Sequence, residues 1–383
     1  MKKKLLFFTG KRGGINHFIP LIQRLSKDNS FELHIIFSDM HMSKIFGETY
    51  KNYNQLKIKK HFSYSLSENY NGSKYDRAFS LSLGMSNNTN LLKKIKPDFL
   101  FVLGDRSELF SILTPAIIFN IPIGHFYGGD ITQGCTDEPT RHATSMLSNI
   151  HFVSNDKSKK NLQNFGIPRA NVHNVGLLSL NSFNFKKVSK KDTFHKFNLD
   201  KNKKSLILIF HPETWNLGST KKQIKTILSA VSEFDCNKTI IYPCSDPGFQ
   251  IIIDELKKYK LKDRFSKIYK DIKSKDFYNL MYHSDVLIGN SSTGILESHF
   301  FKIPSINIGS RQLNRHQTKN VFNISFNKVK IVKCIKNIFK NKIKFYEKDS
   351  FYFKKKGVEK TYNIIKNIDF KNSDIFKQKL KLT

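Results

Sequence analysis

Arginine is scarce in this chain, tryptophan occurs once and cysteine four times, although lysine and arginine together supply 65 of the 383 residues. The four cysteines, Cys135, Cys236, Cys244 and Cys334, form no C-x-x-C pair and no metal-ligand spacing. That argues against a disulfide framework and a zinc module, and points to a reducing, cytoplasmic setting with no metal. No apolar run approaches the length needed to cross a bilayer, so no membrane association is expected. The opening MKKKLLFFTG has the basic start of a signal peptide, but its apolar stretch is too short and runs straight into a glycine-rich turn. It reads instead as a buried first strand. The formal net charge of +34 comes without any RNA- or DNA-binding signature, and the lysines are spread along the chain instead of forming a stripe. Nucleic acid is therefore not expected as a partner, and the Lys-rich stretch from about Lys328 reads as a solvated face.

The few arginines say more than the many lysines. Of nine, Arg12, Arg106, Arg141, Arg311 and Arg315 each fall in a polar cluster, where a planar guanidinium suits a phosphate or a carboxylate.

A chain of 383 residues exceeds what one core comfortably supports, so two domains are expected, over residues 1–180 and 181–383, with a polar Lys-rich link near 181–204. Short apolar β-prone runs alternate with helical stretches throughout. The runs are 5–9, 32–38, 99–103, 121–125, 151–154 and 172–175 in the first half, and 206–210, 239–242, 286–289 and 305–308 in the second. The pattern predicts an α/β fold of two Rossmann-like, doubly wound domains, each with a parallel sheet covered on both faces. Ligands of such sheets bind beyond the C-terminal strand ends, and most of the polar clusters sit there, which places the site in a cleft between the domains.

The most informative cluster is GNSSTGILES at 289–298, completed by INIGSRQLNR at 306–315. An apolar strand ends at Ser291-Ser292-Thr293-Gly294, where a helix is expected to open and its free N–H groups would favour an anion. Gly294 would let the backbone approach closely, Glu297 in the first helical turn would accept from vicinal hydroxyls, and Arg311 and Arg315 would reach a second phosphate or a base edge. A Ser-capped helix with a solvated Glu is the plain alternative. In the first half, Gly10-Lys11-Arg12-Gly13-Gly14, Asp105-Arg106, Tyr127-Gly128-Gly129-Asp130, and Asp137 with Arg141 occupy the matching positions. Asp137 and Arg141 are spaced i, i+4, so both would project from one helix face, or simply pair with each other. His211 follows the run LILIF, where it would either be a satisfied core residue or bind phosphate as a cation.

Taken in order, LGDRSE (103–108), GHFYGGD (124–130), DEPTRHATS (137–145), FHPET (210–214), NSSTGILES and GSRQLNR resemble the UDP-N-acetylglucosamine 2-epimerase family, in particular the hydrolysing branch of sialic and related nonulosonic acid biosynthesis. The resemblance runs from Thr9 to about Arg315 and implies the two-domain arrangement shared with many nucleotide-sugar glycosyltransferases, called GT-B. It implies that Arg12, Arg106, His211, Ser291, Ser292, Glu297 and Arg311 hold UDP, and that Asp105, Asp130, Asp137 and Arg141 are catalytic or touch the sugar. The implied chemistry is loss of UDP with the C2 proton to give a glycal, followed by addition of water to give the free 2-epimer. No cofactor is implied, and a homo-oligomer is.

Two departures stand out. Where many hydrolysing members carry His-x-His-Gly-Gly-acid, this chain has Tyr127 at the third place, and the usual Arg-Ala-acid-Tyr appears as Arg12-Gly13-Gly14-Ile15. Tyr127 can serve as an acid/base only if its environment moves its pKa from ~10; Asp130 is the alternative. The sugar is accordingly UDP-GlcNAc or a UDP-2,4-diacetamido sugar. A glycosyltransferase of the same build and a nucleotide-sugar-binding protein without catalysis remain as competing readings.

Overall fold

A computed structural model describes residues 2–67, 69–182, 188–341 and 351–370. Thirteen strands fall into two wholly parallel sheets. The first contains β1 (Lys3–Thr9), β2 (Phe31–Phe37), β3 (Lys59–Phe62), β4 (Phe99–Leu103), β5 (Ile123–Phe126), β6 (Ile150–Val153) and β7 (Val172–Asn174), in the order β3-β2-β1-β4-β5-β6-β7. The second contains β8 (Ser205–Ile209), β9 (Asn237–Ile241), β10 (Ser266–Tyr269), β11 (Val286–Gly289), β12 (Ser305–Ile308) and β13 (Val321–Ile324), in the order β10-β9-β8-β11-β12-β13. Each order reverses direction once, between β1 and β4 and again between β8 and β11, and such a switch point opens a crevice at the C-terminal strand ends.

The central strands are apolar and buried on both faces, as parallel strands under helices must be. In the first sheet the layer is aromatic: Phe7 stacks on Phe101 (5.0 Å between centroids) and Phe126 on Phe152 (4.5 Å), with Phe18 of the helix Ile15–Leu25 edge-on to Phe7. Each such ring contributes about 2 kcal/mol through area removed from water.

The expected link is only partly irregular: it holds the short helix Lys190–Lys196, while residues 183–187 lie outside the described residues. So do 342–350 and 371–383 of the Lys-rich C-terminal stretch. Within that stretch the helix Gly357–Lys366 packs back on the first domain, where Glu359 pairs with Arg24 (2.6 Å) and the Tyr362 hydroxyl donates to Asp28 (2.7 Å). No described helix is long and apolar enough to cross a membrane.

Candidate active site

The loops after β1, β4, β5, β8 and β11 meet in one cleft between the domains. After β1 the chain turns through Gly10–Gly14 into the helix Ile15–Leu25, whose first turn has no acidic residue and no side-chain cap. Its positive end therefore stands beside Lys11 and Arg12 on the cleft wall. Arg12 Nη2 donates to the carbonyls of Tyr242 (2.7 Å) and Pro243 (2.8 Å) in the second domain, while Nη1 is buried without a hydrogen-bond partner among the described residues.

Beyond β4, Asp105 Oδ2 accepts from Arg141 Nη2 at 2.6 Å. Burial would raise the Asp105 pKa, but the positive charges of Arg141, Lys11 and Arg315 outweigh it and hold the carboxylate below its usual range. Asp105 lines the cleft. Arg106 is fully engaged: Nε donates to Glu108 (2.9 Å), Nη1 to Asp246 (2.5 Å) and Nη2 to Ser245 (2.7 Å). Arg106 lines the cleft and also straps the domains together, a link continued by Arg77, which pairs with Asp39 and Glu108.

Past β5, Tyr127 sits at φ 64°, and its hydroxyl accepts from Leu178 N at 2.9 Å. Burial drives its pKa further up, away from neutral pH, which disfavours it as a general base, and the residue lines the cleft. Asp130 accepts from Ser158 Oγ, and its Oδ2 lies 2.9 Å from Arg315 Nε.

Asp137 and Arg141 both project from the buried face of the helix Asp137–Met146, but they do not pair with each other. Arg141 reaches Asp105 and Glu138 (2.7 Å), and Asp137 Oδ2 accepts from Arg311 Nη2 of the second domain at 2.7 Å. Burial raises the Asp137 pKa, Arg311 opposes it, and the negative charges of Asp105 and Asp246 add to the rise.

In the second domain, Asn290 is buried and clamps His211: its Oδ1 accepts from His211 N (2.8 Å), and its Nδ2 donates to His211 O (2.9 Å). Gly289 makes this possible, because its φ is 131° and a Cβ there would lie 1.9 Å from Ile209 O. Burial and the charge of Arg311 hold the His211 pKa well below its ordinary value, which favours a neutral imidazole over the cation, the other reading of this position. Its Nδ1 accepts from Cys244 N (3.1 Å), which leaves the proton on Nε2.

The helix after β11 is one turn, Thr293–Leu296, and Glu297 is its C-terminal cap, not a first-turn residue. Glu297 is buried and accepts from the Tyr278 hydroxyl at 2.6 Å; burial raises its pKa. Ser291, Ser292 and Thr293 line the cleft. Gly294 does not: a Cβ there would meet Ser305 Oγ at 2.5 Å and Leu287 at 3.1 Å, so the glycine seats this turn against β11 and β12 and has no role toward a ligand. Arg311 and Arg315 are both on the cleft wall, and Glu213 positions the first by accepting from Ser310 N (2.6 Å) and Arg311 N (3.1 Å).

The expectations omitted Lys11, Asp246, Arg77 and the anchoring role of Glu213. Lys11 and Glu213 lie inside motifs already singled out, whereas Arg77 and Asp246 carry no local signal. Among the described residues no group of three or more His, Cys, Asp or Glu is arranged to hold a metal ion.

Two doubly wound domains that close their switch points over a cleft lined by cations, serines and carboxylates define the GT-B class of nucleotide-sugar proteins. A model of the UDP-N-acetylglucosamine 2-epimerase family matches residues 23–366, and the chain belongs to that family. It is 32% identical over 333 residues to the GDP/UDP-N,N'-diacetylbacillosamine 2-epimerase (hydrolyzing) of Campylobacter jejuni, covering 85% of each chain. It is 29% identical over 372 residues to the UDP-N,N'-diacetylbacillosamine 2-epimerase (hydrolyzing) of Legionella pneumophila, covering 96% of this chain and 97% of the other. In fold it is similar to the UDP-GlcNAc 2-epimerase of Neisseria meningitidis solved with UDP-GlcNAc, with a TM-score of 0.74 and 21% identity over 96% of this chain and 100% of that one.

Proposed function

We propose that the protein is a hydrolysing 2-epimerase that converts a UDP-linked N-acetylated hexosamine, UDP-GlcNAc or a UDP-2,4-diacetamido sugar, to UDP and the free 2-epimer. The observation that carries this reading is the opposition, across one cleft, of ionised Asp105 to the Ser291–Thr293 turn with its surrounding cations. UDP is taken by Lys11, the free Nη1 of Arg12, His211 Nε2–H, Ser291, Ser292, Arg311 and Arg315, with Glu297 accepting from the ribose. Asp105 takes the C2 proton as the C1–O bond breaks and its electron pair leaves on the diphosphate, whose charge the cations stabilise. The product is a C1=C2 glycal. Water oxygen then bonds to C1 and its proton passes to a carboxylate, while a proton is added to C2 on the opposite ring face; one proton net is released with UDP.

Asp105 and Asp137 are neighbours in different surroundings, the first among Arg141, Lys11 and Arg315 and the second paired with Arg311, so one can take the C2 proton and the other the water proton. The similarity to two diacetylbacillosamine 2-epimerases supports the diacetamido substrate. The side chains suffice without a metal or cofactor, and we place the enzyme in the cytoplasm, where nucleotide sugars are made, as a homo-oligomer. Incubation with each UDP-sugar in D2O, followed by NMR, should show UDP, free sugar and deuterium at C2. Transfer of the sugar to an acceptor without C2 exchange would identify a glycosyltransferase; UDP binding without turnover would identify a binding protein.

A further inference from the structure

Next to the cleft lies a second, polar cavity of ≈ 10 Å³, room for about one water. Lys11, Asp105, Ser292, Arg311 and Arg315 line both spaces, whereas Cys135, Asp137 and Arg141 are among those that line only the small one. Two of the candidate catalytic groups therefore face this cavity and not the cleft.

Three of the residues that line it carry unused donors. Nε of Arg141 and Nε of Arg311 are buried and have no hydrogen-bond partner among the described residues, although their side chains are only 1% and 5% exposed. Arg315 Nε is near Asp130 Oδ2 at 2.9 Å but makes no aligned hydrogen bond. Buried guanidinium N–H groups call for an acceptor, whereas the carboxylates of Asp105 and Asp137 on the same walls, when ionised, can only accept and call for a donor. A single water serves two of these donors, Nε of Arg141 and of Arg311, and both carboxylates: it accepts two N–H bonds and donates two O–H bonds, its full complement.

Resting on the epimerase reading, we propose that this cavity, which Cys135 also lines, is the station of the hydrolytic water, held by Arg141 and Arg311 Nε and by Asp105 and Asp137. When the glycal forms in the adjoining cleft, the water oxygen bonds to C1, its proton goes to Asp137, and the π electron pair takes a proton from solvent at C2; Asp105 and Asp137 then return their protons to solvent, one proton net being released with UDP. Arg141 and Arg311 act as positioning residues for the water. Storing the water behind Asp105 keeps it away from C1 until the double bond has formed.

The test is to fill the cavity. Cys135 is 2% exposed, and Cys135→Leu places extra methyl groups in the space. The readout is the ratio of released glycal to free sugar, followed by the vinylic proton in NMR, with UDP calorimetry as the check of folding. Cys135→Leu is expected to raise that ratio at least tenfold, and Cys135→Ser, which leaves the room open, to restore the wild-type ratio. If Cys135→Leu does not fold, Cys135→Val adds one methyl group and is expected to raise the ratio at least threefold. An unchanged ratio in a folded, UDP-binding Leu or Val variant, beside a wild type that hydrolyses, overturns the water station and leaves the epimerase reading standing. A wild type that releases no UDP from either UDP-sugar overturns the epimerase reading, and the water station with it.

Discussion

Arg311 Nη2 lies 2.7 Å from Asp137 Oδ2, an ion pair that crosses from the second domain to the first. One end belongs to the cation set proposed for the leaving diphosphate and the other to the carboxyl proposed to handle the water proton. Asp137→Asn keeps an oxygen for Arg311 to bond but removes the titrating group. Turnover should fall ~10²–10⁴-fold while UDP affinity changes by less than tenfold. A turnover within tenfold of wild type would remove Asp137 from the chemistry.

Arg12 both ties the domains through the carbonyls of Tyr242 and Pro243 and presents a buried, unpartnered Nη1 to the cleft. A hydrogen bond to a charged partner is worth about 1.5–3 kcal/mol. Arg12→Ala should therefore weaken UDP binding by ~10–100-fold in calorimetry. Affinity within twofold of wild type would mean that Nη1 does not meet the nucleotide.

Tyr127→Phe separates two roles for the phenol. Its hydroxyl accepts from Leu178 N, and burial moves its pKa the wrong way for a base at neutral pH. The variant should keep turnover within about threefold of wild type and lose about 1–3 kcal/mol of stability, because Leu178 N is left without its acceptor. A hundredfold loss of turnover at unchanged stability would restore Tyr127 as an acid/base.

Buried histidines should make the fold sensitive to mild acid. His41, His125 and His151 are buried, and burial lowers their pKa values to about 3, about 4 and about 3. Their unfolded-state value is ~6.5, so between pH 6.5 and 4 the unfolded chain binds protons that the folded one refuses. Stability is thus complete above pH 6.5 and declines as pH falls, with a limiting slope of about 1.4 kcal/mol per pH unit for each histidine. Thermal melts from pH 7.5 to 5 should show a steadily falling Tm; a flat Tm would contradict the buried neutral state.

The central strands were legible because each is an apolar β-prone run bounded by small or polar residues. The unread strands were β3, β10 and β13, all at sheet edges, where exposure permits sequences such as KKHF and VFNI. The helix Lys74–Ile95 was also silent. Its buried face is Arg77, Ser80, Gly84, Asn88, Leu92 and Ile95, and the polar half of that face hides the helical period. Gly84 is there because the helix crosses close to Ser111 and Ser65, each 3.1 Å from where a Cβ would stand.

Sequence alone determined the two α/β domains, the strand ends at which ligands gather, and most of the side chains that face the cleft, because strand propensity and glycine-rich turns are local properties. Only the tertiary structure decided which charge meets which. Arg141 passes over Asp137, four residues away, for Asp105, 36 residues away, and Asp137 is left for Arg311, 174 residues away. It also decided between the two readings of His211 in favour of a buried, uncharged ring, engaged Arg106 with Asp246 of the second domain, and placed Gly294 against β11 and β12. Pairing and protonation inside a protein depend on separations of a few ångströms and on burial, and both are set by segments that the chain brings together from far apart.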